Sequence, residues 1–169
     1  SVCGFSYGGG CGPYSGGDSS ADGDLSSDGY TAPENGIAGV HAPYNALLGL
    51  YLDDSQPSLT PTPADLAFTG PGSLGIAFNT VSPGLKQVFF IGDGLTGRGT
   101  GAVQQFVVPT GATRLFLGSM DGYGWYNNGG SQTVVISSTG SGAVPEPATF
   151  GLLGAALSAL AVLRRRLRH

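Results

Sequence analysis

The chain has 169 residues, 31 of them Gly and 11 Pro, with 40% hydrophobic and 11% charged side chains and a formal net charge of −4. That length has room for one cored domain, and apolar residues gathered into short runs argue against a chain too rich in Gly and Pro to fold. Of seven cations, Arg164, Arg165, Arg166 and Arg168 crowd the end; the scattered Lys86, Arg98 and Arg114 cannot neutralise a row of phosphates, which excludes a nucleic-acid surface and leaves divalent cations as the better-matched partner of an acidic body.

Residues 1–35 are Gly, Ser, Asp and Tyr without apolar periodicity, including GGDSSADGDLSSDG, and are expected to be loop. Position 1 is Ser, with no apolar run after it, so a signal peptide is expected to have been removed or to lie outside this sequence. Cys3 and Cys11, the two cysteines, could close a small disulfide loop in an exported protein; the alternative is a pair of free thiols.

Residues 36–139 read as an all-β domain. NALLGLYLD over 45–53 is punctuated only by Gly49 and predicts a buried strand ending in the turn residues DDSQP. Further strands are predicted over 75–79, 87–92, 102–108, 114–120 and 132–137, each flanked by Gly, Pro, Asn or Asp. No window before residue 148 shows a capped 3.6-residue period, so helix is expected to be scarce. Short strands with long loops predict a jelly roll or β-sandwich.

No catalytic residues are assigned, and the chain is not expected to be an enzyme. His41 and His169 are the only histidines, and His41, beside Pro43 with no nucleophile motif around it, reads as a polar loop or strand-edge residue. Asp53 and Asp54 ahead of Ser-Gln-Pro read as a solvated turn. Gly92-Asp93-Gly94 and Gly97-Arg98-Gly99 lack the Lys-Ser/Thr and following helix of a phosphate loop.

The Ile-Gly-Asp-Gly turn at 91–94, a strand ending in Val108-Pro109, a strand running to Asp121, and Trp125-Tyr126-Asn127-Asn128-Gly129-Gly130-Ser131 together resemble the second half of the calcium-dependent, galactose-binding bacterial lectin family. The resemblance implies a galactose-binding-domain-like β-sandwich in which Asp121, Asn127 and Asn128 ligate Ca²⁺ and sugar hydroxyls complete its shell. Carboxylate, amide and main-chain oxygens on a Gly-rich loop suit a hard cation, and Tyr123, Trp125 or Tyr126 is available to stack on a sugar face. The chain departs from the family in a loop about one residue shorter, in an insertion from about Asp53 to Pro83, and near Ala32, where the family carries a sugar-contacting histidine. Asp and Asn beside Gly are equally the residues of plain hairpin turns.

The tail has three parts: a linker over 140–147 ending in Val144-Pro145-Glu146-Pro147, an apolar run over 148–163, and a basic segment over 164–169. As a helix the apolar run would be about 24 Å long, a little short of a ~30 Å hydrocarbon core. The arginines would stay cytoplasmic, leaving everything before Val144 outside. Pro145 and Pro147 hold their segment extended, as a protease subsite prefers, with Glu146 as the specific contact.

Motif, single hydrophobic helix and the cluster of Arg164, Arg165 and Arg166 resemble the PEP-CTERM sorting signal. The resemblance implies recognition by exosortase, a membrane-embedded cysteine transpeptidase, in bacteria that often make exopolysaccharide and biofilm. A plain tail anchor behind a proline linker is the other reading of these residues. The expectation is an exported surface or biofilm-matrix protein of a Gram-negative bacterium, its precursor in the inner membrane, with exosortase, the membrane and extracellular polysaccharide as partners and a calcium-dependent, lectin-like domain. The alternative is a purely structural surface protein with no ligand site.

Overall fold

A computed structural model describes residues 20–121 and 132–138. Cys3, Cys11, Tyr123, Trp125, Tyr126, Asn127 and Asn128 lie outside the described residues, as do Val144, Pro145, Glu146, Pro147, the apolar run 148–163, Arg164, Arg165 and Arg166. The chain divides into two compact units, Ser1–Thr133 and Val134–His169, and every strand of the described residues belongs to the first.

Those strands are β1 (Asp24–Thr31), β2 (Val40–Tyr44), β3 (Leu47–Leu52), β4 (Leu66–Ala67), β5 (Thr80–Val81), β6 (Val88–Phe90), β7 (Leu95–Gly97), β8 (Thr100–Val103), β9 (Gln105–Phe106) and β10 (Arg114–Ser119); the one helical element among the described residues is a 3₁₀ turn, Pro57–Leu59. The all-β expectation therefore holds. β3 is the centre of the sheet β10-β3-β6. Its continuous run LLGLYL, in place of alternation, matches a strand whose side chains are nearly all buried. β10 pairs antiparallel with it from Arg114↔Leu52 to Ser119↔Leu47, and β6 pairs from Leu48↔Phe90 to Leu50↔Val88.

Gly49 is needed where β3 meets β6: a Cβ there would overlap the Phe89 ring and stand 2.8 Å from Ile91 Cδ1. Asn45, read from sequence as the first residue of this strand, instead turns the chain between β2 and β3 at φ 66°, a left-handed conformation that Asn tolerates.

A second sheet, β1-β2-β4, pairs β1 antiparallel to β2 with Tyr30↔His41 and Thr31↔Val40, and β2 parallel to β4 with Val40↔Leu66 and His41↔Ala67. Val40 and Ala42 of this sheet join Leu48, Tyr51, Phe89 and Phe90 of the other, with Phe68 and Met120, in one core. The rings of Phe68, Phe78, Phe89, Phe90 and Phe106 form a chain with centroids 5.7 to 6.4 Å apart. Burial of each large side chain stabilises the fold by roughly 1.5–3 kcal/mol. The segment after β3 is tied down by polar contacts: Lys86 Nζ donates to Thr60 Oγ1 and to Pro61 O, each at 2.7 Å, and Arg114 Nε donates to Asp53 O at 3.0 Å.

Four expectations are corrected. Residues 24–31, read as part of an N-terminal loop over 1–35, form β1: its Gly, Ser and Asp lack β propensity, and pairing with β2 overrides it. The strand expected over 75–79 is not formed; Gly75 stands at φ 71°, and pairing begins only at Thr80, which joins β9 in parallel. The strand expected over 102–108 is split at Gln104, whose side chain turns inward to donate to Ile76 O at 2.8 Å and Phe78 O at 2.9 Å. The strand expected over 132–137 is absent: residues 132–138 are in no ladder, and Val135 is 90% exposed. β propensity without a partner does not make a strand.

The described strands form two three-stranded and two two-stranded sheets, with parallel pairs at β2–β4 and β5–β9. Among the same residues no helix is long and apolar enough to cross a membrane.

Candidate functional site

Four acidic side chains of the body, Asp24, Asp53, Asp54 and Asp93, are occupied with its own polar contacts. Asp24 Oδ1 accepts from the backbone N–H of Ser26 at 3.0 Å and from its hydroxyl at 2.6 Å, and Asp53 repeats the pattern on Ser55 at 2.9 and 2.5 Å. Asp93 caps the turn after β6, accepting from Leu95 N–H at 2.9 Å and Gly99 N–H at 2.6 Å. Asp54 accepts from the Thr113 hydroxyl at 2.7 Å. The contacts of Asp24, Asp53 and Asp93 with the N–H two positions on are Asx turns, in which a carboxylate substitutes for a backbone acceptor, whereas Asp54 reaches across 59 positions to Thr113. Hydrogen bonds from the Ser55 side chain and backbone hold Asp53 below the ordinary carboxylate range. Among the described residues no three His, Cys, Asp or Glu side chains converge as a metal site. The turn reading is the one seen for Asp53, while Asp54 is bonded to Thr113.

One face gathers chemistry that these turns do not absorb. Side chains alternate across a strand, so Val40 and Ala42 enter the core while His41 points outward from β2. Tyr30 lies opposite it on β1 and stacks on it, centroids 4.4 Å apart and planes at 23°. The Tyr30 hydroxyl continues across β2 and donates to Asp65 Oδ2 at 3.1 Å. Asp65 Oδ1 is fixed by the Gly39 N–H at 2.7 Å. On the other side of the stack, Asp28 Oδ1 stands 3.7 Å from His41 Nδ1 and accepts from the Thr69 hydroxyl. Ala67 beside His41 keeps the face low. Loss of solvent, the hydrogen bond to Asp65 and that carboxylate's charge all push the Tyr30 phenol above its ordinary value, so it stays a neutral donor.

Asp121, the one described member of the sequence-predicted calcium set, follows β10 directly. Its carbonyl accepts from Thr31 Oγ1 at 3.0 Å, tying Asp121 to β1. Thr31 faces the core side of its sheet, where its hydroxyl also meets Met120 Sδ at 3.6 Å, whereas Tyr30 faces outward. The Tyr30–His41 face was missed in the sequence because Tyr30 lay in a stretch read as loop. The signal present was VHAPY, a lone polar ring between small apolar residues.

What lies beyond the body is decided by its last segment. Residues 143–166 match the family model described as the PEP-CTERM protein-sorting motif. The chain carries a PEP-CTERM sorting signal. The motif spans VPEP, the apolar run and Arg164 to Arg166, and it marks an exported protein anchored through its C-terminus and processed by exosortase. It covers the tail and none of the β-body. No curated protein and no solved structure matches the chain.

Proposed function

We propose that the PEP-CTERM tail delivers a non-catalytic, polysaccharide-binding β-body to the outer surface of a Gram-negative bacterium. In this reading Asp121, Asn127 and Asn128 hold Ca²⁺ and Tyr123, Trp125 and Tyr126 are the aromatic residues available to a sugar. One carboxylate and two amide oxygens are a donor set that suits a hard cation. The observation that carries the proposal is the sorting motif behind an acidic body. The Thr31–Asp121 contact ties Asp121 to β1. The test is thermal unfolding of the full chain in detergent with Ca²⁺ and with chelator, since a ligand that binds only the folded state raises its melting temperature.

A second reading, a structural surface protein without a ligand site, is favoured by the turn-capping carboxylates. Asp24, Asp53, Asp54 and Asp93 hold the body's own loops, so acidity alone does not require a bound cation.

A further inference from the structure

We propose that the outer face of β1-β2-β4 is a docking ledge for a neutral or amino-sugar chain, with the Tyr30 ring as its platform. The inference rests on the polysaccharide-binding reading above, but it needs neither calcium nor the loop after Asp121. One face of Tyr30 stacks on His41, and the residue is still 42% exposed. The ring is held at both ends, by the strand and by its hydroxyl on Asp65. A sugar stacking there immobilises little that is not already fixed, and preorganisation of this kind favours binding.

The polar groups around the ring are acceptors. Asp65 is pinned by the Gly39 N–H and the Tyr30 hydroxyl, and Asp28 by the Thr69 hydroxyl. An ionised carboxylate has about four lone-pair positions, so each retains capacity for further donors. A pyranose supplies the matching pattern, an apolar C–H face for the ring and hydroxyl donors at its rim. The charge selects the class: Asp28 and Asp65 flank the platform, His41 is the one basic side chain in the cluster, and a polyuronate would meet like charge. An amino sugar would gain from the same two carboxylates and from the aromatic face.

The experiment is affinity electrophoresis of the full chain in detergent micelles through gels containing a neutral β-glucan, a galactan, chitosan or polygalacturonate, each run with Ca²⁺ and with chelator. The ledge predicts retardation by at least one neutral or amino-sugar polymer, in chelator as well as in Ca²⁺. Tyr30→Ala should weaken that binding about tenfold or more, while Tyr30→Phe, which keeps the ring, should stay within about threefold. Ala67→Arg adds a long side chain to the face without removing a contact, and should weaken binding as Tyr30→Ala does, which covers the case in which Tyr30→Ala fails to fold. Binding that survives Tyr30→Ala and Ala67→Arg but is lost in Asp121→Ala or in chelator would overturn the ledge and leave the calcium-loop reading standing. Absence of retardation by every polymer would overturn both. Stronger retention by polygalacturonate than by the neutral polymers would overturn the charge argument and, with it, the assigned ligand class.

Discussion

Asp22 and Asp93 meet across 71 positions of sequence, the buried carboxylate of Asp22 accepting the backbone N–H of Asp93 at 2.9 Å. The contact joins the segment before β1 to the turn after β6. Asp22 is only 4% exposed. Burial pushes its carboxyl above the ordinary 3.8, the Asp93 N–H pulls it partly back, and the Asp93 charge pushes it up again. The folded state therefore holds this proton to higher pH than the unfolded chain does. The stability this proton contributes is fully present below pH 3.8 and is lost as pH rises through the folded value.

Asp22→Asn keeps an oxygen for the Asp93 N–H and cannot ionise. Its melting temperature relative to wild type should rise between pH 3 and about pH 7 and be closest to wild type at the acidic end. A relative stability that falls with rising pH would contradict a buried, desolvated Asp22.

Asp53 shows the opposite linkage. The Ser55 hydroxyl and N–H hold its carboxyl down, so the associated stability is present above the unfolded value of 3.8 and is lost as pH falls through the folded one. In an NMR titration of the side-chain carboxyls, Ser55→Ala should move the Asp53 midpoint upward, because the hydroxyl is the largest of its stabilising partners. An unchanged midpoint would mean that the short Ser55–Asp53 contact does not persist in solution.

Gly49→Ala tests the packing of β3 on β6. The added methyl has no room beside Phe89 and Ile91, and overpacking of this kind costs about 1–3 kcal/mol. Denaturant unfolding should show a lower midpoint with an unchanged slope. A variant as stable as wild type would mean that the β3–β6 interface is looser than described.

If Ca²⁺ binds at Asp121, Asn127 and Asn128, it should raise the melting temperature of the full chain, and Asp121→Ala should remove that rise. A calcium-induced rise that persists in Asp121→Ala would place the ion elsewhere. No rise in either protein would favour the structural reading.

The sequence was most legible where one residue type had one physical use. LLGLYL and VFF read correctly as strands, as did RLFLGS, and scarce helix followed from the missing 3.6-residue period. It was least legible where a partner decided the outcome. DLSSDGYT is a poor strand by propensity and becomes β1 because β2 lies beside it, whereas QTVVIS is a good one and lies in no ladder. The Tyr30–His41 stack depends on strand register, which no local pattern encodes. The acidic composition suggested a cation partner, yet Asp-x-Ser at Asp24 and Asp53 is a turn-capping pattern, readable once the Ser two residues on is noticed. The tail was legible because proline pair, apolar run and arginines form a one-dimensional signal that requires no tertiary contact.

The most direct test of the central claim is the intact mass of the protein recovered from the surface of an exosortase-bearing host, compared between wild type and Pro145→Ala with Glu146→Ala. The account predicts that surface wild type has lost the segment carrying Arg164, Arg165 and Arg166, and that the double variant accumulates as uncleaved precursor in the membrane fraction. Surface protein that retains the whole tail, or a double variant processed like wild type, would contradict it.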